Sequence, residues 1–185
     1  MTRLSAKPFA ATPFAAALFG AFLLSAAPAF AMGSDDSSSS GQPNCPAGQV
    51  KDQASGKCVD KSSSLIDDNE RVSYAAALAY AGRYEEAIAV LETAADKADP
   101  RVLNYLGYSH RKAGRVETGL AYYAKALAGD PNYTLAREYL GEAYVHMGKI
   151  DLARDQLHEI AARAGTDSEE FRALAEAIAA AERES

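Results

Sequence analysis

Residues that commonly carry chemistry are scarce in this sequence. It has two cysteines and three histidines in 185 residues. His110, His146 and His158 are scattered, and two thiols without a nearby histidine cannot complete the four ligands of a zinc site. His158-Glu159 opens like a zinc-protease helix, but Ala162 stands where the second histidine is required. No Gly-x-Ser-x-Gly elbow occurs, and Gly148-Lys149 lacks both the upstream Gly and the following Ser/Thr of a phosphate loop. We therefore read the chain as noncatalytic, with no cofactor and no metal.

Positive charge is also short. The whole chain is net −6, and the deficit deepens once its first residues are considered. Residues 1–31 have the layout of a secretory signal peptide: Arg3 and Lys7 at the start, an apolar run from Phe14 to Ala27, and Ala29-Phe30-Ala31 as the cleavage site. The apolar run is about 14 residues, against the roughly 20 that span a bilayer, so an uncleaved anchor fits less well. Cleavage after Ala31 leaves 17 basic and 25 acidic residues, net −8. That balance argues against nucleic acid or an anionic membrane surface as partner. The expected location is the periplasm, with no membrane span after signal removal.

The aromatic residues divide in the same way. Five of six phenylalanines lie in the first 30 residues, whereas all ten tyrosines lie between Tyr74 and Tyr144. Residues 32–44 are rich in Gly, Ser and Asp and read as a disordered linker. Cys45 and Cys58, an even pair in an exported chain, read as a disulfide. Between them Gln49-Val50-Lys51 alternates like a strand, Ala54-Ser55-Gly56 turns, and Lys57-Cys58-Val59 returns. The expectation over 45–60 is a small disulfide-closed hairpin acting as a stapled tag, followed by a linker over 61–66.

What is abundant is repetition. Ala81-Gly82-Arg83-Tyr84, Ala113-Gly114-Arg115-Val116 and Met147-Gly148-Lys149-Ile150 share one pattern, with glycines 32 and 34 residues apart. A helical pattern runs up to each Gly and another follows it, as a left-handed glycine ending a helix requires. In the first unit Asp67 or Asp68 caps a helix carrying Val72, Ala75, Leu78 and Ala79, and the return helix runs from Tyr84 to about Lys97. In the second, Asp99-Pro100 starts a helix whose buried face is Leu103, Leu106, Gly107 and His110. Gly119, Tyr122, Tyr123, Ala126 and Leu127 line its return helix. The third repeats this through Leu140, Gly141, Tyr144, Ala153, Leu157 and Ile160. Thr166 to Glu169 reads as a capping box, opening a final amphipathic helix with Phe171, Leu174, Ala175 and Ile178 inward. A period of this size marks a solenoid, and a polar-backed last helix covers its open end.

Leu106-Gly107-x-x-His110-x-x-x-Gly114, continuing through Gly119, Tyr123, Ala126-Leu127 and Asp130-Pro131, resembles the tetratricopeptide repeat. Leu140-Gly141-x-x-Tyr144-x-x-x-Gly148 matches it again. The first unit departs from it, with Ala75 in place of Gly and Arg71 at an apolar position. The resemblance covers residues 67–165, with 166–185 as capping helix and tail. It implies an all-α, right-handed α-solenoid of three helix-turn-helix repeats, the first helix of each lining a concave groove. The groove residues it implies are Asn69, Val72, Ala76, Ala79 and Tyr80 in the first unit. In the second they are Arg101, Asn104, Tyr108, Arg111 and Lys112, and in the third Leu135, Glu138, Glu142, Val145 and His146. Val72 and Ala76 occupy the positions of a carboxylate clamp, so that activity is not expected. The implied groove is basic at its centre and acidic further along, suited to a peptide of mixed charge. The expected function is a protein or peptide interaction module in an envelope assembly. The alternative is a structural, self-associating spacer without a groove ligand.

Overall fold

The computed structural model describes residues 44–184. The segments read as signal peptide (1–31) and linker (32–44) lie outside the described residues, apart from Asn44. Strands β1 (Gln49–Lys51) and β2 (Cys58–Asp60) pair antiparallel with Val50 opposite Val59. The Cys45–Cys58 disulfide closes this hairpin, with the two Cα atoms 5.6 Å apart. Three helix pairs follow: α1 (Asp68–Tyr80) with α2 (Tyr84–Leu91), α3 (Pro100–Lys112) with α4 (Val116–Gly129), and α5 (Thr134–His146) with α6 (Ile150–Ala164). A single helix, α7 (Glu169–Glu184), packs against both α5 and α6.

One device makes all three inter-helix turns. Gly82, Gly114 and Gly148 take φ of 78°, 85° and 69°. The amide of the following cation then reaches back five residues: Arg83 to Leu78 at 2.9 Å, Arg115 to His110 at 2.9 Å and Lys149 to Tyr144 at 2.8 Å. This backbone bond satisfies a carbonyl that the ending helix leaves orphaned, and it needs the left-handed residue in between. A Cβ on any of these glycines would meet nothing within 4 Å. The requirement is therefore conformational, not a matter of space.

The starts are chemically distinct. Asp67 caps α1, accepting from the Glu70 amide while the Glu70 carboxylate accepts from the Asp67 amide. Asp99 accepts from the Arg101 amide with Pro100 in the first turn of α3, where a missing N–H is harmless. At α7 the cap is Ser168, whose hydroxyl accepts from the Phe171 amide at 3.2 Å, and not Thr166 as the sequence suggests. Starting the helix two residues later leaves Gly165, at φ 81°, free to turn the chain out of α6.

Two expectations need correction. First, α2 stops at Leu91 and does not run to Lys97. The chain after it is held by other partners: Thr93 Oγ1 donates to the Lys61 carbonyl, and the Ala95 and Asp96 amides both donate to the Asp68 carboxylate at 2.9 Å. Second, the stapled hairpin and the linker 61–66 pack against the first repeat. Val50 is fully buried, in one cluster with Ile66 and with Val72, Ala75, Leu78, Leu91 and Val102 of the first helices. Arg71, the residue that breaks the repeat pattern, anchors the segment between the hairpin and α1. Its guanidinium is buried and donates to the Lys61 carbonyl, the Ser63 carbonyl and Asp68.

Close helix contact comes from three glycines. Ideal Cβ atoms would lie 2.7 Å from the Tyr123 ring at Gly107, 2.8 Å from the Gly107 carbonyl at Gly119, and 2.4 Å from Leu174 at Gly141. The first two let α3 and α4 touch backbone to backbone. The third seats α7 on α5.

Candidate protein-docking face

Helices α1, α3 and α5 are neighbours in a row, and α7 continues it. Side chains at equivalent phases on these helices therefore line up across the repeats. Tyr80 at the end of α1, Tyr105 and Tyr108 on α3, and Tyr139 on α5 form one aromatic cluster. The Tyr80 hydroxyl lies 2.6 Å from that of Tyr139 and 3.3 Å from that of Tyr105. Tyr80 meets Tyr105 and Tyr108 edge-on at centroid distances of 6.1 and 5.6 Å, and Tyr108 lies 4.9 Å from Tyr139, spacings typical of attractive ring pairs. Burial, then the bond to Tyr80, holds the phenols of Tyr105 and Tyr139 far above the usual tyrosine range. Tyr80 itself is 57% exposed, so the cluster opens to solvent at a large amphipathic side chain.

Charge is arranged around these rings. Arg111 is buried, donates to the Tyr123 hydroxyl at 3.3 Å, and pairs with Glu142 of α5 at 2.8 Å. It also lies over the Tyr108 ring, as does the exposed Lys112 at 5.6 Å. Glu138 is only 8% exposed. Burial first, then Glu142, Glu170 and Glu169, pushes its carboxyl up to about 7.

The residues implied to face a groove thus divide into two sets. Tyr80, Tyr108 and Lys112 do meet on this face, whereas Arg101, in the first turn of α3, bonds Asn69 at 2.7 Å and Asp99. Asn104 and Arg111 do not present free groups. Asn104 is fully buried and reaches the Tyr133 hydroxyl only at 3.5 Å, with its Oδ1 unpartnered. Arg111 is a strut between α3 and α5, not an open cation. Its pairing with Glu142 removes much of the basic centre that the sequence implies. Val72 and Ala76 are buried in α1.

Further along, His146 lines a pocket of about 420 Å³ with Glu142, Val145, Ala177, Ala180 and Glu184, between α5 and α7. His110, expected to be buried packing, is half-buried and stacks on Tyr122 at 5.3 Å. Burial, then Arg115, lowers its pKa.

Sequence reasoning misses Tyr105, Tyr139, Glu169 and Glu170 as members of this face. Tyr105 and Tyr108 at i, i+3 carry a signal, since both must lie on one side of α3. The glutamates carry none, because only packing shows that α7 runs beside α5. A second cavity of about 520 Å³ lies over Leu103, Leu106 and Tyr122, bordered by Glu92, Lys97 and Ala98 of the segment that follows α2.

Among the described residues no helix is long and apolar enough to cross a membrane, and no three His, Cys, Asp or Glu converge to hold a metal ion.

Stacked helix pairs with glycine turns and a covering last helix define an α-solenoid. Two tetratricopeptide repeat models match, over residues 75–134 and 110–178. The chain belongs to the tetratricopeptide repeat family, whose fold serves protein–protein interaction. Among solved structures it is similar to the Yersinia enterocolitica type III secretion translocator chaperone SycD, at 18% identity and TM-score 0.52, over 63% of this chain and 83% of that one. MamA AMB-1 aligns at 31% identity and TM-score 0.47, over 63% of this chain and 67% of the other. A MamA point mutant aligns at 30% identity and TM-score 0.47, over 63% and 72%. No curated protein matches the sequence significantly.

Proposed function

We propose that this is an exported, noncatalytic interaction module that holds a peptide or partner helix on the face made by α1, α3, α5 and α7. The observation that carries this reading is the tyrosine cluster, which joins three repeats and ends in the exposed Tyr80. Tyrosines of this kind give a partner large contact area together with a polar handle. Arg101, Tyr108, Lys112, Glu138, Glu142 and His146 border the same face and are the contacts we assign to it, with Asn104 and Arg111 acting beneath them. Release of residues 1–31 and delivery to the periplasm accord with the Cys45–Cys58 disulfide, a bond that persists in oxidising compartments. Membership of an envelope assembly is part of the same proposal.

The test is position-specific photocrosslinking in intact cells. A crosslinking residue replacing Lys112 or Tyr80 should trap a discrete protein adduct, and one replacing the exposed Leu152 of α6 should not. Adducts from Leu152 alone would move the interaction to the second-helix side and end this assignment.

A further inference from the structure

The cavity of about 520 Å³ is walled by side chains that the docking face does not use, from the segment after α2, the first half of α3 and the last two turns of α4. Its volume lies within the range of ligand sites, about 300–1,000 Å³. Leu103, Leu106, Ala98 and Ala128 give it aliphatic walls. Gly129 brings the end of α4 against the start of α3, since a Cβ there would lie 3.3 Å from Pro100 Cγ and 3.9 Å from the Ala98 carbonyl. The Tyr122 ring is already engaged, stacked on His110 at 5.3 Å and lying under Lys125 Nζ. Such a lining favours a flexible aliphatic body over a flat ring.

Charged groups on the lining are few, and positive ones prevail. Lys97 and Lys125 are exposed and, among the described residues, neither pairs with a carboxylate. Lys97 Nζ donates to the Glu92 carbonyl, an acceptor that the end of α2 leaves free. That bond holds the ammonium without neutralising it. Lys125 Nζ lies 5.3 Å from the Tyr122 ring centroid, drawn there by the negative face of the ring. The one carboxylate on the lining, that of Glu92, lies close enough to His110 for its charge to act on that imidazole. Two cations against one anion reverse the balance of the whole chain, which is net −6.

We propose that this cavity binds a fatty acid, the free carboxylate of a single aliphatic chain, with the chain against Leu103 and Leu106 and the carboxylate taken by Lys97 and Lys125. Both lysines have long stems that lie along apolar surface while the ammonium follows a headgroup at the mouth. A cationic chain of the same length would gain the burial but lose the ion pairs. A peptide C terminus carries the same charge, but its backbone amides need hydrogen-bond partners, which aliphatic walls do not supply. The inference does not rest on the docking face.

The experiment is calorimetric titration of the full exported chain with dodecanoate below its micellar concentration, beside dodecyltrimethylammonium and an acetylated tetrapeptide ending in two leucines. Dodecanoate should bind at least about 10-fold more tightly than dodecyltrimethylammonium, the discrimination expected of a charged hydrogen bond. Lys97→Gln combined with Lys125→Gln should remove that preference. Ala128→Phe, at an exposed position that the fold tolerates, should fill the cavity and abolish binding. Methyl resonances of the native chain locate the ligand without any variant: dodecanoate should shift those of Leu103 and Leu106 and leave Val145 unmoved. Binding that ignores headgroup charge, shifts confined to other methyls, or an affinity unchanged by Ala128→Phe would overturn the inference. Tighter binding of the peptide than of dodecanoate would overturn it too, by making the cavity a protein-docking site.

Discussion

The hydroxyls of Tyr80 and Tyr139 meet at 2.6 Å although the residues are 59 positions apart and lie on the first helices of the first and third repeats. The bond bypasses the middle repeat and ties the two ends of the solenoid together across α3. In a stack whose members otherwise touch only their neighbours, such a tie should raise cooperativity. Tyr139→Phe should lower stability by about 1 kcal/mol, read as an earlier urea midpoint. Tyr80→Phe should cost a similar amount, and the double variant should cost little more than either single one. Full additivity would show that the two hydroxyls do not act on each other.

Glu138 should make stability fall as the solution becomes more alkaline through neutrality. Its folded pKa, about 7, lies above the ordinary carboxyl value of 4.5. A group raised in this way contributes stability that is complete below the unfolded pKa and is lost as pH rises through the folded one. Glu138→Gln should therefore match the native chain near pH 4.5 and exceed it at pH 8, by on the order of 2 kcal/mol. Urea midpoints of both chains at several pH values supply the test, and the difference between them cancels the opposing titration of His110, whose folded pKa is lowered. Parallel curves would mean that Glu138 titrates normally.

Local rules make the repeats legible in the sequence. Gly82, Gly114 and Gly148 announce the turns because a left-handed residue has few chemical solutions. Asp99-Pro100 announces the start of α3 for a similar reason. What stays hidden depends on distant partners. The early end of α2 is enforced by Asp68 and Lys61, which lie 27 to 32 residues upstream of the groups they hold. An amphipathic pattern cannot report that. The anchoring of the segment after the hairpin depends on Arg71, which in sequence looks like a fault in the repeat. For the candidate face, the repeat resemblance implies Tyr80, Tyr108 and Glu138. It cannot show that Arg111 is already paired with Glu142, nor that α7 brings Glu169 and Glu170 alongside.

Gly119 illustrates the difference between propensity and packing. Alanine is the better helix former by about 1 kcal/mol, and Gly119 lies inside α4. A Cβ there would sit 2.8 Å from the Gly107 carbonyl and 2.9 Å from Arg111 Cβ. Neither neighbour is a flexible side-chain end, so α3 and α4 must separate. Gly119→Ala should then destabilise by about 1–3 kcal/mol net, despite the gain in propensity. An unchanged or raised thermal midpoint would show that the pair can slide apart freely.

The disulfide hairpin should behave as part of the solenoid and not as an appendage. Cys45 and Cys58 close a loop whose chain-entropy contribution is about 3 kcal/mol. The Cys45 amide also donates to the Tyr74 hydroxyl of α1 at 3.2 Å. Val50 projects from β1 into the core of the first repeat, so Val50→Ala removes buried methyl groups and should cost about 2 kcal/mol. Reducing the disulfide should therefore lower the urea midpoint of the helical signal in circular dichroism, although the hairpin itself contains no helix. Val50→Ala should lower it too, and should have less effect once the disulfide is reduced, because a hairpin that has already come away has no packing left to lose. If reduction and Val50→Ala leave the helical transition where it was, the hairpin folds independently and α1 is stable without it.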